Sequence, residues 1–289
     1  MKPAVSVVIP TYNNSAFLAE AVESVQSQDF GDVEIVIVDD GSNDDTENIL
    51  RRLESDDVRI AQQPNGGPAK ARNLGISMAQ GDWVAFLDAD DHWLSGKLSA
   101  QMKEIHRCPE VGFGYTDVLF HYQNGEEKIH RPKNSGAGLF DDLLWGNQLA
   151  TDSVIVRREC LDEVGGFREN LRTGEDWDLW LRLAARFKSF YLPSVLTFVR
   201  APANRGAKYG MKIFESCTLS VLDQLFTSSD IIKTHPYVPD LRKQLYAFHY
   251  SVLAKSYLNE HRLFDWWRLA QSAVRSHSTG WRYLMPSSL

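Results

Sequence analysis

Apolar and polar positions along the chain fall into two alternating periods. Short, β-branched apolar runs at 5–9, 33–38, 58–61 and 83–87 read as buried strands. Between them, apolar residues recur at helical spacing. Phe17, Leu18, Ala21, Val22 and Val25 share one face of a helix over 15–28, with Asn14 or Ser15 as its cap. Ser42 to Asp45 has the form of a capping box ahead of a helix through Leu53, and Pro68 suits the first turn of a helix over 69–79. Pro10 can only end the first strand.

Beyond a helix over 95–106 the pattern changes. A long strand spans 111–122, Asn124-Gly125 signals a hairpin, and 127–130 is its return. A short helix at 138–145, a strand at 153–156, a helix at 158–164 closing on Gly165-Gly166 and a helix from Thr173 to about Phe187 follow. A strand over 191–200 is interrupted by Pro193. From 206 onward the composition turns helical, with helices at 211–226, 238–259 and 262–276. The last puts Leu263, Trp266, Trp267, Ala270 and Val274 on one side and Arg262, Arg268 and Arg275 around the other. The expected outcome is packing on its own domain, with a peripheral membrane contact or a homodimer through these helices as the rarer alternatives.

Strands alternating with helices over short connections predict an α/β fold with a parallel sheet wrapped on both faces, turning mixed in its second half. In such folds ligands bind beyond the carboxyl ends of the strands. The polar residues obey that rule. Tyr12, Asp39, Asp40 and the cluster Asp88-Ala89-Asp90-Asp91 each follow the end of a predicted strand, so separate loops converge on one edge. Like charges a few ångströms apart cost about 1 kcal/mol even at the dielectric of water, and such a cluster usually answers to a cation. An Asp-rich turn capping the next helix explains any one of these loops, but not their convergence.

Composition narrows the classes of partner. The 289 residues are 43% hydrophobic, enough for a sizeable core, and the net charge of −7 without a dense Lys/Arg run argues against nucleic acid. Cys108, Cys160 and Cys217 are far apart and odd in number, which fits a reducing compartment and neither a disulfide framework nor a zinc site. The opening apolar run is too short for a signal-peptide core, and no later stretch reaches membrane-spanning length. The expectation is a cytoplasmic protein, with room for a peripheral position at the inner face of the cell membrane.

Five stretches together resemble the family 2 inverting glycosyltransferases of the GT-A fold: Val8-Ile9-Pro10-Thr11-Tyr12-Asn13, Val38-Asp39-Asp40-Gly41-Ser42, Asn65-Gly66-Gly67 through Ala71-Arg72-Asn73, Phe86-Leu87-Asp88-Ala89-Asp90-Asp91, and Gly174-Glu175-Asp176. They stand in the family's order and cover roughly residues 3 to 200. The resemblance implies a GT-A domain over 1–205, with a nucleotide-binding half (1–107) and an acceptor-binding half (108–205), followed by a helical extension over 206–289.

The implied reaction moves a sugar from a nucleotide-diphosphate sugar, UDP-linked by expectation, to a hydroxyl of a saccharide or lipid-linked acceptor. Tyr12 would stack on the base, Asp40, or as second choice Asp39, would accept its N–H, and Pro10 and Thr11 would wall the pocket. Arg72 would meet ribose or diphosphate, although an Arg pairing with a nearby acid is the competing reading. Asp90 would hold Mg²⁺ or Mn²⁺ with Asp88, which would also contact the ribose; Asp91 reads slightly better as a cap than as a supporting ligand. Asp176 would be the general base, against a competing reading of Thr173–Asp176 as a capping box; Glu175 and Trp177 would face the acceptor or sugar.

One departure stands out: the Arg and His that the family often carries after its last strand reduce here to Arg200, with Arg205 further on. Two other classes compete with this reading: a catalytically silent nucleotide-sugar-binding protein, and an aspartate-dependent phosphohydrolase, which would leave Tyr12, Asp40 and Asp176 without a task.

Overall fold

Every residue of β1 (Val5–Thr11) is buried, as are six of the seven in β2 (Val33–Asp39) and all of β4 (Trp83–Phe86). Along β1, Val5, Val7 and Ile9 join the apolar layer on one face of the sheet and Val8 the layer on the other; Val84 and Phe86 of β4 likewise oppose Trp83 and Ala85. Burial on both faces is why these segments read as unbroken apolar runs. The computed structural model describes residues 2–133, 138–201, 210–277 and 280.

The sheet has nine strands in the order β3-β2-β1-β4-β8-β6-β9-β5, with β7 paired to β6. β3 (Val58–Gln62), β2, β1 and β4 run parallel; β8 (Ile155–Arg157) is antiparallel to both β4 and β6 (Val111–Tyr122). β9 (Lys188–Ala201) runs parallel to β6, and β5 (His92–Trp93) and β7 (Glu127–His130) close the edges. The expected parallel first half and mixed second half are both present.

One face carries α1 (Leu18–Gln26), α2 (Thr46–Leu53) and α4 (Lys97–Arg107). The other carries α3 (Pro68–Met78), α5 (Leu139–Leu143), α6 (Arg158–Val164) and α7 (Glu175–Ala184). The apolar layer on this second face continues without a break into α8 (Met211–Thr227), α9 (Ser229–Thr234) and α10 (Val238–Asn259), through Cys217, Val221, Leu225, Ile231, Val238 and Leu245. The last helix, α11 (Leu263–Ser276), packs on α10. No helix among the described residues is long and apolar enough to cross a membrane.

Several local expectations are corrected. β9 is one strand through Pro193, because Thr116 of β6 pairs with Leu192 and Asp117 with Val195, so the proline lies in a bulge where no ladder hydrogen bond is asked of it. β8 starts after a 3-10 turn at Thr151–Ser153, and α7 ends at Ala184 rather than near Phe187. β5 and α9 are too short to leave a periodic signal. Neither Asn14 nor Ser15 caps α1, and the Ser42–Asp45 box does not form. Instead the Asp44 carboxylate accepts from the Ser15 N–H, the Thr46 N–H and the Thr46 hydroxyl, tying the first loop to the second. Gly165 does take the left-handed C-cap of α6. On α11 the buried residues are Leu269, Ala270 and Ala273, whereas Leu263, Trp267 and Val274 are exposed, contrary to the packed face expected of them.

Candidate active site

The carboxyl ends of β1, β2 and β4, the loop before α3 and the start of α7 enclose a cavity of about 560 Å³. Pro10, Thr11, Tyr12, Asp40, Arg72, Asp88, Asp90, Glu175 and Asp176 all line it, so most of the residues singled out in the sequence meet at one place. Tyr12 stands 46% exposed at its edge, an aromatic face open to a flat ligand.

Asp40 is buried and held from three sides: Oδ1 accepts from the Gln63 side-chain amide (2.6 Å) and the Gly66 N–H (2.8 Å), and Oδ2 from the Gly67 N–H (2.8 Å). An ionised carboxylate has about four acceptor positions, so one remains for a ligand. Gly67 has a φ of +89°, a left-handed backbone that aims its N–H at the carboxylate at little cost to glycine. Asp39 does not line the cavity; its Oδ1 accepts the Ser42 N–H.

Arg72, on α3, is buried and bridges two acids, donating to Asp88 (2.6 Å) and Glu175 (2.9 Å). Burial alone would lower its affinity for a proton, but the charges of Asp88 and Glu175 outweigh that and hold the guanidinium charged. Its Nε is buried without a partner, as is Thr11 Oγ1. Arg72 thus pairs with two acids while also lining the cavity, and Glu175 is engaged with it at the cavity wall.

Asp176 is the second residue of α7, and the Thr173–Asp176 capping box does not form: the N-cap is Gly174, in left-handed conformation, with no side-chain cap bond. Its Oδ1 accepts the Trp177 N–H and its Oδ2 the Asn147 side-chain amide (2.7 Å). Burial, followed by the charge of Glu175, pushes the Asp176 carboxyl up to about 6, against the pull of those hydrogen bonds and Arg72. The group is thus a base of useful strength near neutral pH. Trp177 is turned away from this cavity, its indole N–H donated to the Leu143 carbonyl. Trp180 is core, packed beside Phe86 and Phe167.

Asp88, on the cavity wall, belongs also to a carboxylate cluster: ligand oxygens of Asp88, Asp91 and Asp152 lie within 4.8 Å of one another. Asp90 is outside this trio and faces the cavity. Asp91 is not a helix cap. It is buried and accepts the Arg200 N–H (2.7 Å), because the chain pairs as β5 with β9 before α4 begins. Burial and then the charges of Asp152, Asp90 and Asp88 raise the Asp91 carboxyl well above the usual range; Asp152, buried beside Asp88, is pushed up to about 7. Asp152 also accepts the Asp88 N–H (2.6 Å). Lys97 is fully buried nearby, donating to Gln101 (2.6 Å) and lying 4.2 Å from the centre of the Trp93 ring. A donor set made only of carboxylate oxygens fits a hard divalent cation.

Arg200 does not reach into the cavity as a free cation. It donates to the Asp90 carbonyl (2.5 Å) and to Glu20 (2.7 Å), with Phe17 beneath its guanidinium, and so braces the acidic loop from outside. Arg205 lies outside the described residues. Sequence reasoning missed Asp152 and Asn147. Each sits in an irregular segment far along the chain from its partner, where no local pattern marks it.

Comparison with known proteins bears on this arrangement. The family described as Glycosyl transferase family 2 matches residues 6–164. A Campylobacter jejuni protein, the GalNAc(5)-diNAcBac-PP-undecaprenol beta-1,3-glucosyltransferase, is 32% identical over 211 residues, 68% of this chain and 65% of that relative, so just under two thirds of its length is spanned. Among solved structures, S. aureus TarS 1-349 in complex with UDP-GlcNAc superposes with a TM-score of 0.63 at 18% identity, covering 94% of this chain and 92% of that one. The mannosyltransferase PcManGT from Pyrobaculum calidifontis, in complex with GDP-Man and Mn2+, superposes with a TM-score of 0.60 at 19% identity, covering 98% and 84%. At these identities the structural likeness speaks to the fold.

Proposed function

The chain belongs to glycosyl transferase family 2, and from that premise we propose that it moves a sugar from a UDP-sugar to a hydroxyl of a saccharide acceptor, with inversion at the anomeric carbon. The observation that carries this reading is the meeting of Tyr12, Asp40, Asp88, Asp90 and Asp176 on one cavity.

Tyr12 stacks on the base and the remaining acceptor position of Asp40 takes its N–H, with Pro10 and Thr11 as the wall. Asp90 and Asp88, both on the cavity wall, would hold Mg²⁺ or Mn²⁺, Asp88 being the carboxylate shared with the Asp91–Asp152 cluster behind it, and the ion, when bound, would offset charge on the departing diphosphate. Asp176, held by Asn147, accepts the proton of the attacking hydroxyl from the face opposite the leaving group. Arg72 keeps Asp88 and Glu175 in place at the cavity wall and stands where it can meet the ribose or diphosphate. The Mn2+ in the Pyrobaculum calidifontis neighbour and the undecaprenol-linked substrate in the Campylobacter jejuni relative's name support a metal and a lipid-linked saccharide acceptor here. A phosphohydrolase gives no task to Tyr12 and Asp176, which line the same cavity, and is not favoured.

A panel of nucleotide sugars, scanned by thermal unfolding with and without Mg²⁺ or Mn²⁺, tests the proposal. A UDP-sugar is expected to raise the melting temperature only with metal, because a ligand binding the native state stabilises it by mass action. Asp90→Ala is expected to abolish that metal-dependent rise. Stabilisation by no nucleotide sugar would reject the reading.

A further inference from the structure

A second cavity, of about 730 Å³, lies between the start of α7 and the helices α8 and α10. It is a neighbour of the first cavity rather than a separate feature, because Thr173, Gly174 and Asp176 line both. Asp176 therefore stands on the partition, with one side toward the donor and the other toward this groove. We propose that the groove is the acceptor subsite, that the C-terminal helices α8 and α10 build it, and that it selects an uncharged glycosyl residue. The inference rests on the reading of Asp176 as the general base and names the class of acceptor that reading leaves open.

The lining supplies what a pyranose needs. Trp145 and Phe248 meet edge to face at 5.2 Å, and Trp177 and Phe214 add further apolar surface against which the C–H face of a sugar can stack. Asn259 lines the groove with an amide for the hydroxyls, and Asn147, which holds Asp176 and accepts the Leu149 N–H, keeps one further N–H. Among the described residues lining the groove there is no Lys or Arg, while Asp176 and Glu260 contribute carboxylates. His249 adds no positive charge: its Nε2 lies 3.0 Å from the Leu144 carbonyl, and burial pushes it down to about 4. Against these described residues a carboxylate or phosphate on the acceptor residue would find no counter-ion to offset its desolvation. A charged linker or a diphosphate therefore lies outside the groove, and only the terminal neutral sugar lies within it.

Saturation-transfer NMR on the full chain, with and without UDP and Mg²⁺, tests this with three probes: p-nitrophenyl β-D-glucoside, p-nitrophenyl N-acetyl-β-D-galactosaminide and p-nitrophenyl β-D-glucuronide. Transfer to the pyranose protons of a neutral glycoside is expected to exceed that of the glucuronide by about threefold or more, the scale of one unpaired charge at a partly exposed site. Phe214→Ala and Phe248→Ala are expected to lower neutral-glycoside transfer about tenfold, the worth of one lost ring contact, while UDP binding by titration calorimetry stays within about twofold. Retained UDP binding also shows that these variants fold. Glu260→Lys is expected to raise the glucuronide signal relative to the neutral glycosides, a change that a structural defect would not produce.

No transfer to any neutral glycoside, equal transfer to the glucuronide, or unaltered transfer in both Phe variants would overturn the inference. Glycoside contact in a protein that fails to bind UDP would instead reject the donor reading and leave the groove standing.

Discussion

In the proposed reaction the proton transfer falls on one carboxyl, that of Asp176. Its affinity for protons is raised to about 6 by burial and then by Glu175, so it is charged, and able to accept a proton, only above that pH. The expected profile of kcat/KM falls about tenfold per pH unit below that point, on a limb belonging to the free enzyme. Asn147 donates to the charged form, so Asn147→Ala should shift the limb to higher pH, which a pH series on the two proteins measures. Asp176→Asn should retain UDP binding and lose about 10² to 10⁴ in transfer rate; unaltered transfer in that variant would reject the base assignment. Arg72 is a different kind of residue. It is buried between Asp88 and Glu175, and Arg72→Ala would leave both acids uncompensated, at a cost of about 3 kcal/mol in denaturant stability.

At the scale of elements, α3 sets the spacing between the glycine loop and the acid loop. It can lie close on β1 because Gly75 has no side chain: an added Cβ would come within 2.3 Å of the Val8 Cγ1. Gly75→Ala gains about 1 kcal/mol in helix propensity but overpacks this contact by about 1–3 kcal/mol. The expected net result is a lower urea midpoint with an unchanged slope, together with weaker UDP binding because Arg72 travels with the helix. The elements themselves were largely readable. Continuous apolar runs marked β1, β2 and β4, and Pro68 and Gly165 marked the start of α3 and the end of α6. The caps were not readable. Ser42–Asp45 and Thr173–Asp176 both have the right letters, yet Asp44 is drawn across to the Ser15 N–H and Asp176 to Asn147, partners that helix periodicity cannot reveal.

At the scale of the molecule, the C-terminal helices are part of the core rather than an attachment. Cys217, Val221, Leu222 and Leu245 share one apolar layer with Leu143, Leu144, Trp177 and Trp180. A chain cut before α8 should therefore expose that layer, and is expected to give little soluble protein and strong binding of an apolar dye. The whole chain should unfold in urea as a single transition by fluorescence and circular dichroism alike. Two separated transitions would show instead that the helical region is an independent unit.

The sequence by itself determined the order of the longer strands and helices and placed Tyr12, Asp40 and Asp88 to Asp91 at the carboxyl edge of the sheet, while Arg72, Glu175 and Asp176 were singled out through the resemblance to the family. It could do so because buried strands need apolar runs and because loops at strand ends are short, so a residue's place along the chain gives its place in space. Tertiary structure alone decided how those residues divide the work. Asp39 turns to Ser42 while Asp40 faces the cavity, Arg72 is spent on two acids, and Asp91 joins Asp152 from a turn 61 positions along the numbering. The groove beside Asp176 also exists only in three dimensions, since it is walled by helices that carry no recognisable motif. Side-chain partners across such distances depend on packing and on competition between donors, and neither leaves a periodic trace in the chain.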